Sequence, residues 1–250
     1  MRIAPVNIVT LKWGTRYGPE YVNILHSAVS RNLSLPHRFV CFTDEPKDIG
    51  PGVDTLPIPD IDLPPDAKVT GWRKLCLFRD DLPLEGISLF LDLDIVVTGD
   101  LSVFFSFGSP SDIPIIHNWV PWNKTILRAK PEIGNSSVFR FTANECRFVW
   151  DQFHREKEWA LGNFRPPQSY LTHCIRPRMK YWPAEWVRSF KRHCVPVFPM
   201  NFVIPPSLPA GARIVAFHGK PDPDEAAKGY HGTRLHHFSR PADWIQAHWH

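Results

Sequence analysis

The chain has 250 residues, of which 43% are apolar and 22% charged, and this usage excludes wholesale disorder. No apolar run approaches the roughly 18 residues that a transmembrane helix needs, and the longest, residues 87–97, is broken by Asp92 and Asp94. A formal charge of +4, with twelve histidines outside that count, is too mild for a nucleic-acid scaffold; it suits an anionic substrate or weak attraction to an acidic membrane surface.

Residues 6–11 are short, β-branched and apolar, and read as a first strand rather than a signal peptide, since no small-residue cleavage site follows. Residues 19–33 carry Tyr21, Val22, Leu25, Ala28, Val29 and Leu33 at helical spacing and stop before Pro36. Residues 38–42 read as a second strand, and 44–67, dense in Pro, Asp and Gly, as a loop with room for one edge strand. A short helix is expected over 72–78 and a buried strand over 87–97. Strands at 114–117 and 137–141, helices at 144–159 and 167–174, and a last strand at 213–217 complete the series. This alternation predicts an α/β fold in which helices cover a mostly parallel twisted sheet with a small antiparallel edge. One domain over 1–221, with a polar tail over 222–250 holding five of the histidines, is the expected organisation. Five widely spaced cysteines without a C-x-x-C pair point to a reducing, cytoplasmic setting. Twenty-six prolines and ten tryptophans predict long, stiff loops.

The chemistry concentrates in two places. Asp92 and Asp94 interrupt an apolar strand two residues apart, which places both on one face of a regular strand. Strand-end aspartates that cap a turn are the bland reading of any D-x-D pair. The apolar flanks on both sides favour two carboxylates that share a hard cation, Mn²⁺ or Mg²⁺. Far downstream, a strand ends at His218-Gly219-Lys220-Pro221. There His218 offers an imidazole to the same cation, Gly219 admits close backbone approach, and Lys220 supplies charge for a diphosphate.

With these motifs in view, residues 5–221 resemble the GT-A-fold nucleotide-sugar glycosyltransferases, nearest the retaining group of glycogenin and the bacterial lipopolysaccharide galactosyltransferases. Asp92-Leu93-Asp94 matches that family's metal motif, and His218-Gly219-Lys220-Pro221 its C-terminal motif. Asn135-Ser136-Ser137-Val138 is similar to the segment under the donor sugar, Arg73-Lys74-Leu75 to the lysine-bearing helix before the metal motif, and Thr10, Leu11 and Tyr17 to the nucleobase loop. The resemblance implies that Asp92, Asp94 and His218 hold Mn²⁺ or Mg²⁺. It implies that Tyr17 stacks on uracil while Thr10 and Leu11 give backbone groups. Lys74, Asp92, Leu93, Gly219 and Lys220 are then donor-binding residues, and Asn135 and Gln168 act at the transferred sugar. A UDP-sugar donor and a saccharide or lipid-linked acceptor are the implied partners, with bacterial surface-polysaccharide synthesis as the setting and contact with the inner membrane face if the acceptor is a lipid.

One position departs from the family pattern: Pro167 stands where an aspartate usually precedes Gln168. Glu132 or Asp151 are carboxylates available to fill that role. Trp119, Trp122 and Asn118 are candidates for an acceptor wall, against core packing for the tryptophans. Lys191 and Arg188 are candidates for an anionic acceptor, against a solvated face. Two other classes stay open. A non-catalytic sugar-nucleotide binder is suggested by Pro167. A haloacid-dehalogenase-type phosphatase, with Asp92 as nucleophile and Asp94 as acid–base, is suggested by the strand itself, although a strand–helix–strand unit precedes it.

Overall fold

The computed structural model describes residues 5–64, 70–119 and 133–250. Strand β1 (Val6–Lys12) is buried along its whole length, and helix α1 (Pro19–Asn32) returns the chain to β2 (His37–Thr43) and the edge strand β3 (Val53–Pro57). Proline at the start of α1 pre-sets the helical φ, and the stripe Tyr21, Val22, Leu25, Ala28 and Val29 is buried as its spacing predicts. A 3₁₀ segment (Thr70–Phe78) stands where a short helix is expected.

The apolar run 87–97 is not one strand. It divides into β4 (Ile87–Leu91) and β5 (Ile95–Val97), with the two aspartates in the joint. Then follow α2 (Ser102–Ser106), β6 (Ile113–His117) and β7 (Gly134–Thr142). The helix expected over 144–159 is two helices, α3 (Arg147–Arg155) and α4 (Lys157–Asn163), broken at Glu156. After α5 (Pro167–Ile175) come two short strands that sequence periodicity does not show, β8 (Met179–Tyr181) and β9 (Val187–Ser189), and a π-helical turn (Phe190–Cys194). Strand β10 (Ile214–Ala216), α6 (Pro223–Lys228) and α7 (Trp244–His248) close the chain.

Seven strands form one sheet in the order β3-β2-β1-β4-β7-β6-β8, parallel throughout except for β7, which runs against both its neighbours. Strands β5, β10 and β9 form a second, small sheet. Alternate residues of the central strands feed opposite faces of the large sheet. Val9, Leu11, Val40, Phe42 and Phe90 pack toward the 3₁₀ segment, α3 and α5, while Ile8, Phe39, Cys41, Leu89 and Leu91 pack toward α1 and α2. Burial on both faces is why these strands read as unbroken apolar runs. A third, smaller core joins Phe190, Val215 and Phe217 to Ala226, Ala242 and Ile245, so residues 222–250 are packed against the small sheet. All five cysteines are buried free thiols. Among the described residues no helix is long and apolar enough to cross a membrane.

Candidate active site

The order of strands fixes where a ligand enters. From β1 the chain builds outward through β2 and β3, then crosses back to place β4 on the other side of β1. Open α/β sheets bind ligands at such a switch point, beyond the carboxyl ends of the strands. Pairing between β1 and β4 ends at Val9–Phe90, and Asp92 and Asp94 follow directly. The Asp92 amide donates to Ser137 O (2.9 Å), which ties the joint to β7. The Phe217 amide donates to Asp94 O (2.9 Å), which ties it to the end of β10. That second bond brings the acidic pair beside His218, although 124 positions of sequence separate His218 from Asp94.

A cleft of about 370 Å³ opens there, lined by Lys74, Asp92, Asp94, Asn118, Trp119, Asn135, Ser136, Ser137, Gln168, Arg192, Phe217 and His218. Six residues singled out in the sequence for metal, donor or sugar binding therefore line one cleft: Lys74, Asp92, Asp94, Asn135, Gln168 and His218. Lys74 Nζ lies 2.7 Å from Asp92 Oδ1 and donates to Ser136 O (3.1 Å). Burial, together with the neighbouring Asp92 carboxylate, pushes the Asp94 carboxyl up to about 7. His218 Nε2 is 2.6 Å from Ser189 Oγ, and its ring stacks on Trp119 with centroids 5.7 Å apart. Burial, then the charges of Lys191 and Arg192, lower its pKa to about 4, so the imidazole is neutral at neutral pH. Asn135 Oδ1 accepts from the Ser137 amide, and Gln168 is the second residue of α5, directly after Pro167.

Of the acceptor candidates, Asn118 and Trp119 also line the cleft, whereas the other donor candidates do not. Thr10 and Leu11 are buried within β1, where Thr10 Oγ1 has no hydrogen-bond partner among the described residues. Leu93 points into the core under α1, so it offers the cleft backbone alone. Gly219 has φ of +69°, a left-handed conformation that favours glycine and turns the chain away after His218. Lys220 faces Asp222 (2.9 Å) and Glu225 (2.7 Å) rather than the acidic pair. Tyr17 lies against Tyr21, and its hydroxyl is 3.2 Å from both Asp94 Oδ2 and Asp222 Oδ1. Trp122 and Glu132 lie outside the described residues.

Sequence reasoning missed Asp222 and Arg192. Asp222 is buried, receives Arg16, Tyr17 and Lys220, and forms a capping box with Glu225 at the start of α6. The signal was present as Asp222-Pro223-Asp224-Glu225, an N-cap followed three residues later by glutamate. Nothing local marks Arg192, which reaches the cleft only because the π-helical turn carries it there.

The donor set suits a hard cation in part. Asp92 and Asp94 offer carboxylate oxygens, and burial beside Asp92 raises the Asp94 pKa, a shift that a bound cation would relieve. His218 is neutral, the form that ligates, but it is engaged by Ser189. Among the described residues no three acidic, histidine or cysteine side chains stand close enough together to form a ready-made metal site.

No family model and no curated protein sequence matches the chain. Solved structures do. The galactosyltransferase LgtC in complex with donor and acceptor sugar analogs aligns over 87% of this chain and 88% of its own, with 12% identity and a TM-score of 0.58. The glycosyltransferase GlyE of Streptococcus pneumoniae TIGR4 aligns over 86% of this chain and 56% of its own (15% identity, TM-score 0.55). The bifunctional WbbM aligns over 88% and 46% (11% identity, TM-score 0.57). The chain thus has the GT-A fold of these glycosyltransferases, as its sequence motifs imply.

Proposed function

We propose that this protein is a metal-dependent glycosyltransferase that moves a hexose from a UDP-sugar to a saccharide or lipid-linked acceptor. The single observation that carries the reading is the convergence of Asp92, Asp94, His218, Lys74, Asn135 and Gln168 on one cleft at the switch point of a GT-A fold. Asp92 and Asp94, joined by His218 once it leaves Ser189, are the residues that would hold Mn²⁺ or Mg²⁺. A bound dication supplies charge neutralisation for the departing diphosphate.

The chain's own residues account for the rest. Lys74 stands beside Asp92 with its ammonium on the cleft wall, positioned for a phosphate oxygen. Asn135 is held by its bond to the Ser137 amide and presents a fixed amide to sugar hydroxyls. Gln168, fixed at the start of α5, offers an amide oxygen to the positive charge that develops at the anomeric carbon. Tyr17, whose hydroxyl is 3.2 Å from Asp94 Oδ2, would face the nucleobase, Gly219 would admit close backbone approach, and Lys220 would meet the diphosphate by leaving Asp222 and Glu225.

The test is UDP release from a panel of UDP-sugars by the purified protein, with and without Mn²⁺. Metal-stimulated release from one donor, slow even without acceptor, is the expected result. Pro167 at the start of α5 motivates the second reading, a sugar-nucleotide binder without turnover. Tight UDP–Mn²⁺ binding with no release under any donor or acceptor would favour that reading instead.

A further inference from the structure

Eight large hydrophobic side chains are exposed among the described residues, and seven of them lie in one place: Leu235 and six residues of the 197–204 loop. Val197 is 81% exposed, and Val203 and Leu235 are each 67% exposed. The loop is held, not frayed. Met200 N donates to Val197 O and Ile204 N to Met200 O, both at 2.8 Å. Asn201 is buried and donates to Leu235 O (3.2 Å) and Phe238 O (2.9 Å), while Phe202 stacks on Phe238 with centroids 4.8 Å apart. The polar side chain is turned in and the apolar ones out, the reverse of what folding in water selects. A contiguous apolar patch of this kind marks a surface that is covered in function.

The rim is cationic. Arg192, Arg234 and Arg240 are exposed around the patch with His236 and His237, and among the described residues none of the three arginines has a carboxylate partner. A pocket of about 180 Å³ beside the patch is lined by Lys191, Arg192, Lys220, His236 and His237. Asp222 and Glu225 already hold Lys220 on this pocket. Arg192 lines both this pocket and the candidate active site, so patch, pocket and cleft adjoin.

We propose that the 197–204 loop and Leu235 form a wedge that seats the protein on an anionic lipid bilayer, with the basic pocket facing the headgroups. An apolar face bordered by arginine is the composition that lies in a membrane interface. The single sign of the rim argues against a second copy, because an isologous contact would set arginine against arginine. The bilayer surface stands on this patch alone; delivery of a membrane-borne acceptor to the adjoining cleft rests on the transferase reading above.

Flotation of the full chain with vesicles tests it, comparing phosphatidylcholine alone with phosphatidylcholine containing phosphatidylglycerol. The protein is expected to float with the anionic vesicles and to stay behind with the neutral ones. V203S/L235S should lower the apparent partition coefficient at least about tenfold, and R234Q or R240Q about fivefold each. None of these four residues lines the cleft, so UDP–Mn²⁺ binding in solution should not change, which also reports an intact fold. A wild-type protein that ignores both vesicle types, or a V203S/L235S variant that floats undiminished, overturns the proposal. So does a wild-type dimer in sedimentation that the same variant dissolves, since the patch is then a contact between copies. Flotation needs no sugar transfer, so a protein that floats yet releases no UDP refutes the enzyme and leaves the wedge standing.

Discussion

Asp92 and Asp94 lie two residues apart and are held differently. Lys74 pairs with Asp92, whereas Asp94 is buried in the field of its acidic neighbour, and the Tyr17 hydroxyl, Lys74 and Arg16 offset only part of that. Asp94 is therefore the group with most to gain from a cation, and Asp94→Asn is expected to abolish metal-dependent UDP binding with an unchanged circular dichroism spectrum. Titration calorimetry with UDP and Mn²⁺ checks it, and a retained metal-dependent heat would contradict the assignment. Lys74→Ala should weaken donor affinity by about 1.5–3 kcal/mol, the range for a hydrogen bond to a charged group. An unchanged donor dissociation constant would show that Lys74 serves Asp92 alone.

At the level of elements, two contacts hold the cleft's walls in register. Asp222 caps α6 and draws Arg16, Tyr17 and Lys220 together, so it couples the last third of the chain to the first loop. Asp222→Ala is expected to cost about 0.5–2 kcal/mol from the cap alone, read from urea unfolding. Tyr17 loses an anchor in the same variant, so UDP affinity should fall with stability. Gly134 begins β7 opposite the irregular register at Ile115–Ile116, and a Cβ built there would lie 2.7 Å from Ile115 Cδ1. Ile115 is fully buried and branched, so it has little room to turn. Gly134→Ala should destabilise by about 1–3 kcal/mol through overpacking, and an unfolding midpoint equal to wild type would refute the crowding.

For the molecule as a whole, the raised carboxyl at Asp94 gives a pH signature. Its folded pKa of about 7 lies above the unfolded value near 4, so between these pH values the native state keeps a proton that the unfolded chain has released. The contribution is fully present below about pH 4 and is lost as pH rises through about 7. In chelator, the melting temperature of wild type should therefore decline across that window more steeply than that of Asp94→Asn. Parallel curves would mean that Asp94 is not held protonated.

The first half of the fold was legible because β1, α1 and β2 carry period-two and helical patterns long enough to identify, and because both faces of the central strands are buried. The break at 92–94 was not. A buried strand and two collinear short strands have the same apolar pattern, and only the pairing of β5 with β10 pulls the second half out of the large sheet. Strands β8 and β9 were missed for a related reason: three residues carry no measurable period, and neighbours rather than propensity make them strands. By itself the sequence determined the α/β class and which polar residues were too costly to sit in apolar runs without a purpose. Only the tertiary structure decided that Asp94, His218 and Arg192 line one cleft, and that Lys220 turns to Asp222 instead. These are contacts between segments far apart in the chain. Their geometry is set by strand order and by the antiparallel pairing of β10 with β5, continued by the backbone bond from Phe217 to Asp94, which no local pattern of residues encodes.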